Sequence, residues 1–501
     1  MAQSPALNPG EAVAPALPAV AAQHVHRWLI LAVISVSQLM VVLDATVVNI
    51  ALPSAQAALG FSNDQRQWIV TAYALAFGSL LLLGGRLGDV IGRKTIFLVG
   101  LGGFAIASAI GGAAPNFEVL VFARALQGLF GALLAPAALS ILTTTFTDPA
   151  ERGRAFGIFG AIAGAGGGLG LLLGGVLTEY LDWRWTLYVN LVFAAIAMAG
   201  AAVYLRNHRP DHKVQLDIVG TVLVSAGLFG IVYGFSNASS QSWGDVMTWG
   251  FLAAGSVLIA AFAWWQTRAA QPLLPLRIIL DRNRGGSLLA LLIAGAGMFG
   301  VFLFLTYYTQ QNLGYSPIQT GLAFLPMIGG IMVSATMATS VLLPRLGARP
   351  LIPLGMVLAA AALSFMTRLD LSSSYASDIL PGLVVMGLGM GLIFAPAMSV
   401  GTLGVDPDDA GAGSAALNTV QQVGGSIGTA LLSTLAASAA TSYLVDRVAS
   451  PETLAQAAIE SYSTAYWWSA SFFVVGAIVT ALLLRSGKPD FDQAPTSAVH
   501  M

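Results

Sequence analysis

Residues 28–50 read WLILAVISVSQLMVVLDATVVNI, an apolar run interrupted by a single carboxylate, Asp44. A helix needs about 20 apolar residues to cross the hydrocarbon core of a bilayer. This run has that length, and no small-residue cleavage pattern stands out after it. It reads as a membrane span and not as a secretory signal. The Ala- and Pro-rich stretch before it, 1–26, lacks hydrophobic periodicity and is expected to form a disordered cytoplasmic tail.

Thirteen further runs qualify on the same criterion. They lie near 68–87, 95–113, 119–142, 155–177 and 185–205, then 218–235 and 247–265 after a polar break. A second break precedes 287–308, 318–342, 351–366, 379–400, 412–435 and 467–484. Composition agrees. The chain has 501 residues, 9% charged and 56% hydrophobic, where a soluble protein carries about 25% charged residues. Most of its surface must therefore face lipid. A net charge of -1 gives no field to attract nucleic acid. The absence of cysteine excludes a disulfide framework and thiolate–zinc sites. The 56 glycines allow close approach between helices.

Basic residues accumulate in cytoplasmic loops, which tests the helix count. With a cytoplasmic amino terminus and fourteen spans, the inner side holds Arg27, Arg86, Arg93, Lys94, Arg152, Arg154, Arg206, Arg209, Lys213, Arg268, Arg277, Arg282, Arg284, Arg345, Arg349, Arg485 and Lys488, seventeen of the 22 Lys and Arg. Arg66, Arg184, Arg368 and Arg447 fall outside, and Arg124 lies inside a span. Adding or losing one helix would scramble this split. Both termini are then expected in the cytoplasm. The acidic group Asp406, Asp408 and Asp409 runs against the pattern, although acidic residues weigh little in orientation. In the long outer loop, Ser450-Pro451-Glu452 has the form of a helix start, and a short surface helix is expected there.

Gly131–Ala137 (GALLAPA) recurs as residues 391–397 (GLIFAPA), and at the same offset Gly153, Gly164 and Gly168 match Gly413, Gly424 and Gly428. The fourth and fifth helices thus resemble the twelfth and thirteenth. The expected fold is all-α and polytopic: two six-helix bundles, 27–206 and 268–486, with two extra helices in 207–267 between them and a cytoplasmic tail from 487 to 501. Duplicated bundles around a shared site suit alternating access by rocking.

A charge at the bilayer centre is costly, so an ionisable residue there is functional by default. Asp44 and Arg124 are the two that stand out. Removing a carboxyl from water disfavours its charged form, so such a group can exchange a proton for a substrate. Asp44 could instead be a structural carboxylate paired to a base, and Arg124 could snorkel outward. Uncharged polar groups cluster at Gln38 and Asn49 in the first helix, Gln127 in the fourth, and Asn418, Gln421 and Gln422 in the thirteenth. They mark either a wet cavity or interhelical hydrogen bonds. The ninth helix carries Phe299, Phe302, Phe304, Tyr307 and Tyr308; Phe302 and Tyr307 are included in the candidate substrate cavity. No Lys follows a P-loop spacing, and no His forms a metal-ligand pair inside a span; His24 and His26 fall in the expected tail.

The loop Gly85-Arg86-Leu87-Gly88-Asp89-Val90-Ile91-Gly92-Arg93-Lys94 resembles the signature loop of the major facilitator superfamily. The resemblance implies a latch between the bundles formed by Gly85, Asp89, Gly92, Arg93 and Lys94. Residues 43–53 (LDATVVNIALP) and Arg124-Ala125-Leu126-Gln127-Gly128 resemble the first- and fourth-helix motifs of the fourteen-spanner drug/proton antiporters, and Trp183-Arg184-Trp185 fits the same family. That family's fifth-helix motif carries prolines among its glycines. Here Gly164, Gly168, Gly170, Gly174 and Gly175 remain as packing glycines, while Gly167 and Leu171 stand where proline is expected. The C-terminal counterpart of the latch, residues 344–349, lacks the acid.

The resemblance implies a monomeric, non-enzymatic exporter of small, largely apolar molecules in a bacterial inner membrane. It would be driven by the proton gradient without a cofactor, and would use Asp44 and Arg124 for coupling. Two other functions stay open. Proton-coupled uptake would need more polar cavity groups than are apparent, and a membrane sensor would usually carry a sizeable soluble domain.

Overall fold

The computed structural model describes residues 19–61, 63–206, 216–240, 243–445, 447–448 and 450–487. They form an all-helical bundle. Six helices come first: α1 (Ala19–Leu59), α2 (Asn63–Ile91), α3 (Arg93–Gly112), α4 (Phe117–Thr145), α5 (Pro149–Tyr180) and α6 (Trp185–Tyr204). A hairpin follows, α7 (Ile218–Ser240) and α8 (Val246–Gln266). After a short helix, Leu276–Leu280, come α9 (Arg282–Tyr307), α10 (Ile318–Leu346, with a break before Leu325), α11 (Ala348–Met366), α12 (Leu380–Gly401), α13 (Ala410–Leu444) and α14 (Pro451–Leu483). Among the described residues thirteen helices are long and apolar enough to span a bilayer, and α5, counted as one bent span, makes fourteen.

Local chemistry sets the helix starts. Asn116 accepts from Val119 N at 3.0 Å, and Asp148 accepts from Glu151 N at 3.0 Å with Pro149 in the first turn. Ser316 and Gln319 form a reciprocal capping box. Ser450 caps Thr453 N at 3.1 Å, as its sequence suggests. The helix it starts is not a separate surface element, however: it continues without interruption into the last span. Pro at the first position is compatible with a long helix, so the cap marks a start and says nothing about length. At the amino terminus, residues 19–26 are helical, so the expected tail is shorter than proposed. His26 belongs to α1 and lies 5.4 Å, ring to ring, from Tyr204. The rest of that tail, 1–18, and residues 488–501 lie outside the described residues, as does His24's side chain.

The internal repeat is visible in the packing. Within the first half α5 packs on α1; within the second, α13 packs on α9. Across the halves α5 packs on α10 and α12, while α13 packs on α2 and α4. These contacts exchange under the pseudo-two-fold relation that the sequence repeat implies. The α7–α8 hairpin lies outside both bundles. Its helices pack on each other, and α7 also touches α2 and α13.

Candidate functional site

Asp44 and Arg124 are brought together in the interior of the first bundle. Arg124 Nη1 donates to Asp44 Oδ2 at 2.6 Å, and the two side chains are 1% and 0% exposed. The outward-snorkelling alternative for Arg124 is thereby removed. Asp44 Oδ1 also accepts from Gln127 Nε2 at 2.9 Å and from Asn190 Nδ2 at 2.7 Å. Arg124 in turn donates to Gln127 Oε1 (2.8 Å) and Ile69 O (3.3 Å), and its guanidinium stands 4.4 Å from the centre of the Tyr73 ring. Gln127 Nε2 reaches Ser108 Oγ at 2.7 Å. A buried charge survives only when its hydrogen-bonding capacity is met, and here the two partners are held by neutral groups from α2, α4 and α6. Asn190, Tyr73 and Ser108 were not anticipated from the sequence. The signal for Asn190 was an isolated amide in an otherwise apolar span.

A cavity of about 420 Å³ lies between the halves, beside this network. Gln38, Ala45 and Thr46 of α1, Thr71, Tyr73 and Phe77 of α2, Arg124 and Ala135 of α4, and Asn418, Gln421 and Gln422 of α13 contribute to its wall. Gly295 and Met298 of α9 and Phe394 of α12 add to the second half's share, and α7 contributes Val232 and Ser236. Asp44 is not on the wall; Arg124 and Tyr73 stand between it and the space. Gln38, Asn418 and Gln421 do face the cavity. Three other proposed cavity residues do not. Gln127 is fully buried in the Asp44 network. Tyr307 is 42% exposed on the bundle's exterior. Phe302 packs against Phe324, ring centres 5.3 Å apart. Composition cannot separate the cavity face of a helix from its neighbours, since the three sit on spans that also carry cavity residues. The side chains of Asn49 and Phe299 lie outside the described residues.

One end of the bundle is sealed by charge. Asp89 at the end of α2 accepts from Gly411 N (3.0 Å) and Ala412 N (3.2 Å), amides in the first turn of α13 in the other half. A carboxylate is favoured at a helix amino terminus, where free N–H groups and the helix dipole converge. Arg93 donates to Asp89 Oδ1 at 3.4 Å and to Pro407 O. Gly85 lies so close to the Gly411 carbonyl that a Cβ would collide with it. Gly92 adopts φ 111, a conformation that side chains rarely tolerate. Arg86 and Arg277 both bond Asp409, at 3.2 and 2.5 Å, which accounts for the acidic group that opposed the charge pattern. Arg152 adds bonds from α5 to Thr402 Oγ1 (2.8 Å) and Ser399 O (3.3 Å). Lys94 departs from the expected latch: it donates to the Ala202 and Leu205 carbonyls at the end of α6, inside its own bundle.

The α5 glycines divide between two neighbours. A Cβ on Gly164 or Gly168 would press on Ile331 or Ile328 of α10, across the halves. One on Gly170 or Gly174 would strike Thr46 or Val47 of α1. Gly175 is buried. At Gly167, where the family pattern has proline, a Cβ would sit 3.0 Å from the Phe302 ring. The helix still bends, by 48° between Pro149–Gly164 and Gly166–Tyr180, because glycine withholds both side-chain packing and helix propensity there.

Two related six-helix halves, a cavity at their junction and a charged seal at one end define a secondary-transporter architecture. The chain belongs to the Major Facilitator Superfamily, whose family model matches residues 34–429. It is 46% identical to the puromycin resistance protein pur8 of Streptomyces alboniger, over 95% of this chain and 94% of that protein. It is 38% identical to the cephamycin export protein CmcT of Amycolatopsis lactamdurans, over 92% and 93%. Among solved structures, the proton:xylose symporter XylE superposes with a TM-score of 0.65 at 12% identity, covering 93% of this chain and 97% of that one. That likeness supports the fold alone. The chain is thus a multi-pass membrane protein of a transporter family, built as two six-helix bundles with two further helices between them.

Proposed function

We propose that this protein exports antibiotics or similar small, largely apolar molecules from a bacterial cell, driven by proton entry and acting as a monomer. The observation that carries the reading is the buried Asp44–Arg124 pair, with Arg124 on the cavity wall and Asp44 directly behind it. Its relatives named for antibiotic resistance and export support the direction of transport. The basic, sealed end is the cytoplasmic end in this reading, with both termini on that side, and the state is one closed to the cytoplasm.

The coupling follows from what each atom does. Asp44 accepts three donors and so is held as an acceptor. A proton on either oxygen replaces one of those bonds and removes the charge that fixes Arg124. Arg124 stands on the cavity wall, so the change is felt where the substrate binds. Substrate and proton then compete through Arg124 without both touching Asp44. Rocking breaks the Asp89 and Asp409 contacts and opens the cavity at that sealed end, as alternating access requires.

Growth inhibition tests this. An efflux-deficient host would express wild type or Asp44→Asn at matched membrane levels against puromycin, a cephamycin, lincomycin and lipophilic dyes. Resistance with wild type that disappears in the variant is expected. Equal protection by both would remove Asp44 from the mechanism. Protection by neither would overturn export of these compounds and favour uptake.

A further inference from the structure

The inserted hairpin has no counterpart in the two-bundle repeat, yet α7 reaches the central cavity. Val224, Leu228 and Val232 are 2%, 6% and 2% exposed and recur every four residues, so they form one buried stripe. Val219 and Val222, at 47% and 61%, face away. The stripe closes the seam between α2 and α13, which belong to opposite halves. At Gly78 of α2 the three helices converge: a Cβ there would stand 3.2 Å from Gln422 and 3.5 Å from Val232. Ser236 and Thr71 share a hydrogen bond at 3.0 Å, tying α7 to the first half. Trp243 Nε1 donates to Thr434 Oγ1 at 2.8 Å, tying the same segment to the second.

The polar groups at this wall are neutral. No carboxylate lines the cavity among the described residues, and the one charge on its wall, Arg124, is met by Asp44. The side-chain amides of Gln421 and Gln422 make no hydrogen bond to the described residues. Gln38 is 7% exposed, and its buried Oε1 has no partner. An unpaired buried polar atom is costly, and one beside a cavity can be met by a group that enters it.

We propose that α7 is the third wall of the substrate site. Ser236 and Val232, with Thr71 and Gln422, form a subsite for an uncharged hydrogen-bonding part of the cargo, such as an amide, hydroxyl or ether. The inserted pair is then a specificity element and not only a lipid-facing collar. This rests on the export reading of the same cavity.

The chain has no cysteine, so single cysteines can be introduced without background. Val232→Cys, Ser236→Cys and, as reference on α13, Gln421→Cys would be labelled with a water-soluble maleimide in membrane vesicles, with and without puromycin. Labelling at all three positions, slowed at least about threefold by puromycin, is the expected result. Protection of Gln421→Cys alone would overturn the α7 subsite while leaving export through the cavity standing. If Gln421→Cys is unprotected as well, the reading of this cavity as the puromycin site fails and the inference falls with it. In transport assays Ser236→Ala should raise the half-saturating puromycin concentration about 3- to 10-fold at an unchanged maximal rate, the effect of one lost neutral hydrogen bond. A fall in maximal rate alone would argue for a structural role and against the subsite.

Discussion

Arg86 of the first half donates to Asp409 of the second at 3.2 Å, with side-chain exposures of 7% and 11%, and this pair spans the sealed end of the bundle. Asp409 is also bonded by Arg277, which is 68% exposed. The two cations should not matter equally. Breaking a buried pair leaves an uncompensated charge and costs about 3–5 kcal/mol, whereas an exposed partner contributes about 0–1 kcal/mol. Asp409→Asn or Arg86→Ala should therefore loosen the seal much more than Arg277→Ala. The measurement is maleimide labelling of Ala135→Cys, on the cavity wall, from the Arg86 end. A rise of at least about tenfold is expected for the first two variants and less than about threefold for the third. Equal labelling in all three would mean that other contacts hold the seal.

Asn190 supplies one of the three donors to Asp44 and touches nothing else in the network. A hydrogen bond to a charged group is worth about 1.5–3 kcal/mol. Asn190→Ala should slow proton-driven puromycin efflux about 10- to 100-fold while the protein remains folded. Efflux in vesicles under an imposed pH gradient reports it. An unchanged rate would show that Arg124 and Gln127 suffice to hold the carboxylate.

The fold was legible because its dominant constraint is one-dimensional. Span length, loop charge and the Gly131–Ala137 repeat each register in sequence order, and they lead to fourteen spans, two six-helix halves and an inserted pair. The latch was legible only in part. Asp89 and Arg93 cross between the halves, but Lys94, next in the chain, turns back to the carbonyls at the end of α6. What sequence order hides is which face of a helix meets which neighbour. Gln127 could have faced the cavity or the Asp44 network from the same span. Asn190, distant in sequence from Asp44, shows its role only once α6 is placed beside α1. The role of Asp409 required the fold as well, since its cations come from α2 and from the short helix before α9.

Two glycines outside the latch separate packing from helix propensity. A Cβ on Gly84 would run into the backbone of Ala132, while one on Gly102 would meet nothing within 4 Å. Overpacking a tight contact costs about 1–3 kcal/mol, and replacing a freely placed helical glycine by alanine gains about 0.4–1 kcal/mol. Gly84→Ala should lower the thermal unfolding midpoint of the detergent-purified protein, and Gly102→Ala should leave it equal or slightly higher. A loss of stability in Gly102→Ala would contradict the open space at that position.

Asp217 fastens the inserted pair to itself. It lies just before α7 and accepts from Gly220 N at 2.8 Å, from Trp265 Nε1 at 2.9 Å and from Gln266 Nε2 at 2.9 Å, the last two at the end of α8. Partial burial pushes its carboxyl upward, but the bonds from Gly220, Trp265 and Gln266 together outweigh that and hold it below the usual carboxylate range. A carboxyl depressed in the folded state stabilises it above the unfolded value, near 3.9. That contribution is lost as pH falls through the lower folded value. Between pH 7 and 5 the clasp should therefore be insensitive to acid, and it should weaken only below about pH 4. Asp217→Asn removes the charge at every pH. The variant should unfold at a lower temperature than wild type at pH 7, and the gap between the two should narrow only once the pH falls below about 4. Thermal unfolding across that range decides the matter: a constant gap between the curves would mean that Asp217 acts through shape and not through its charge.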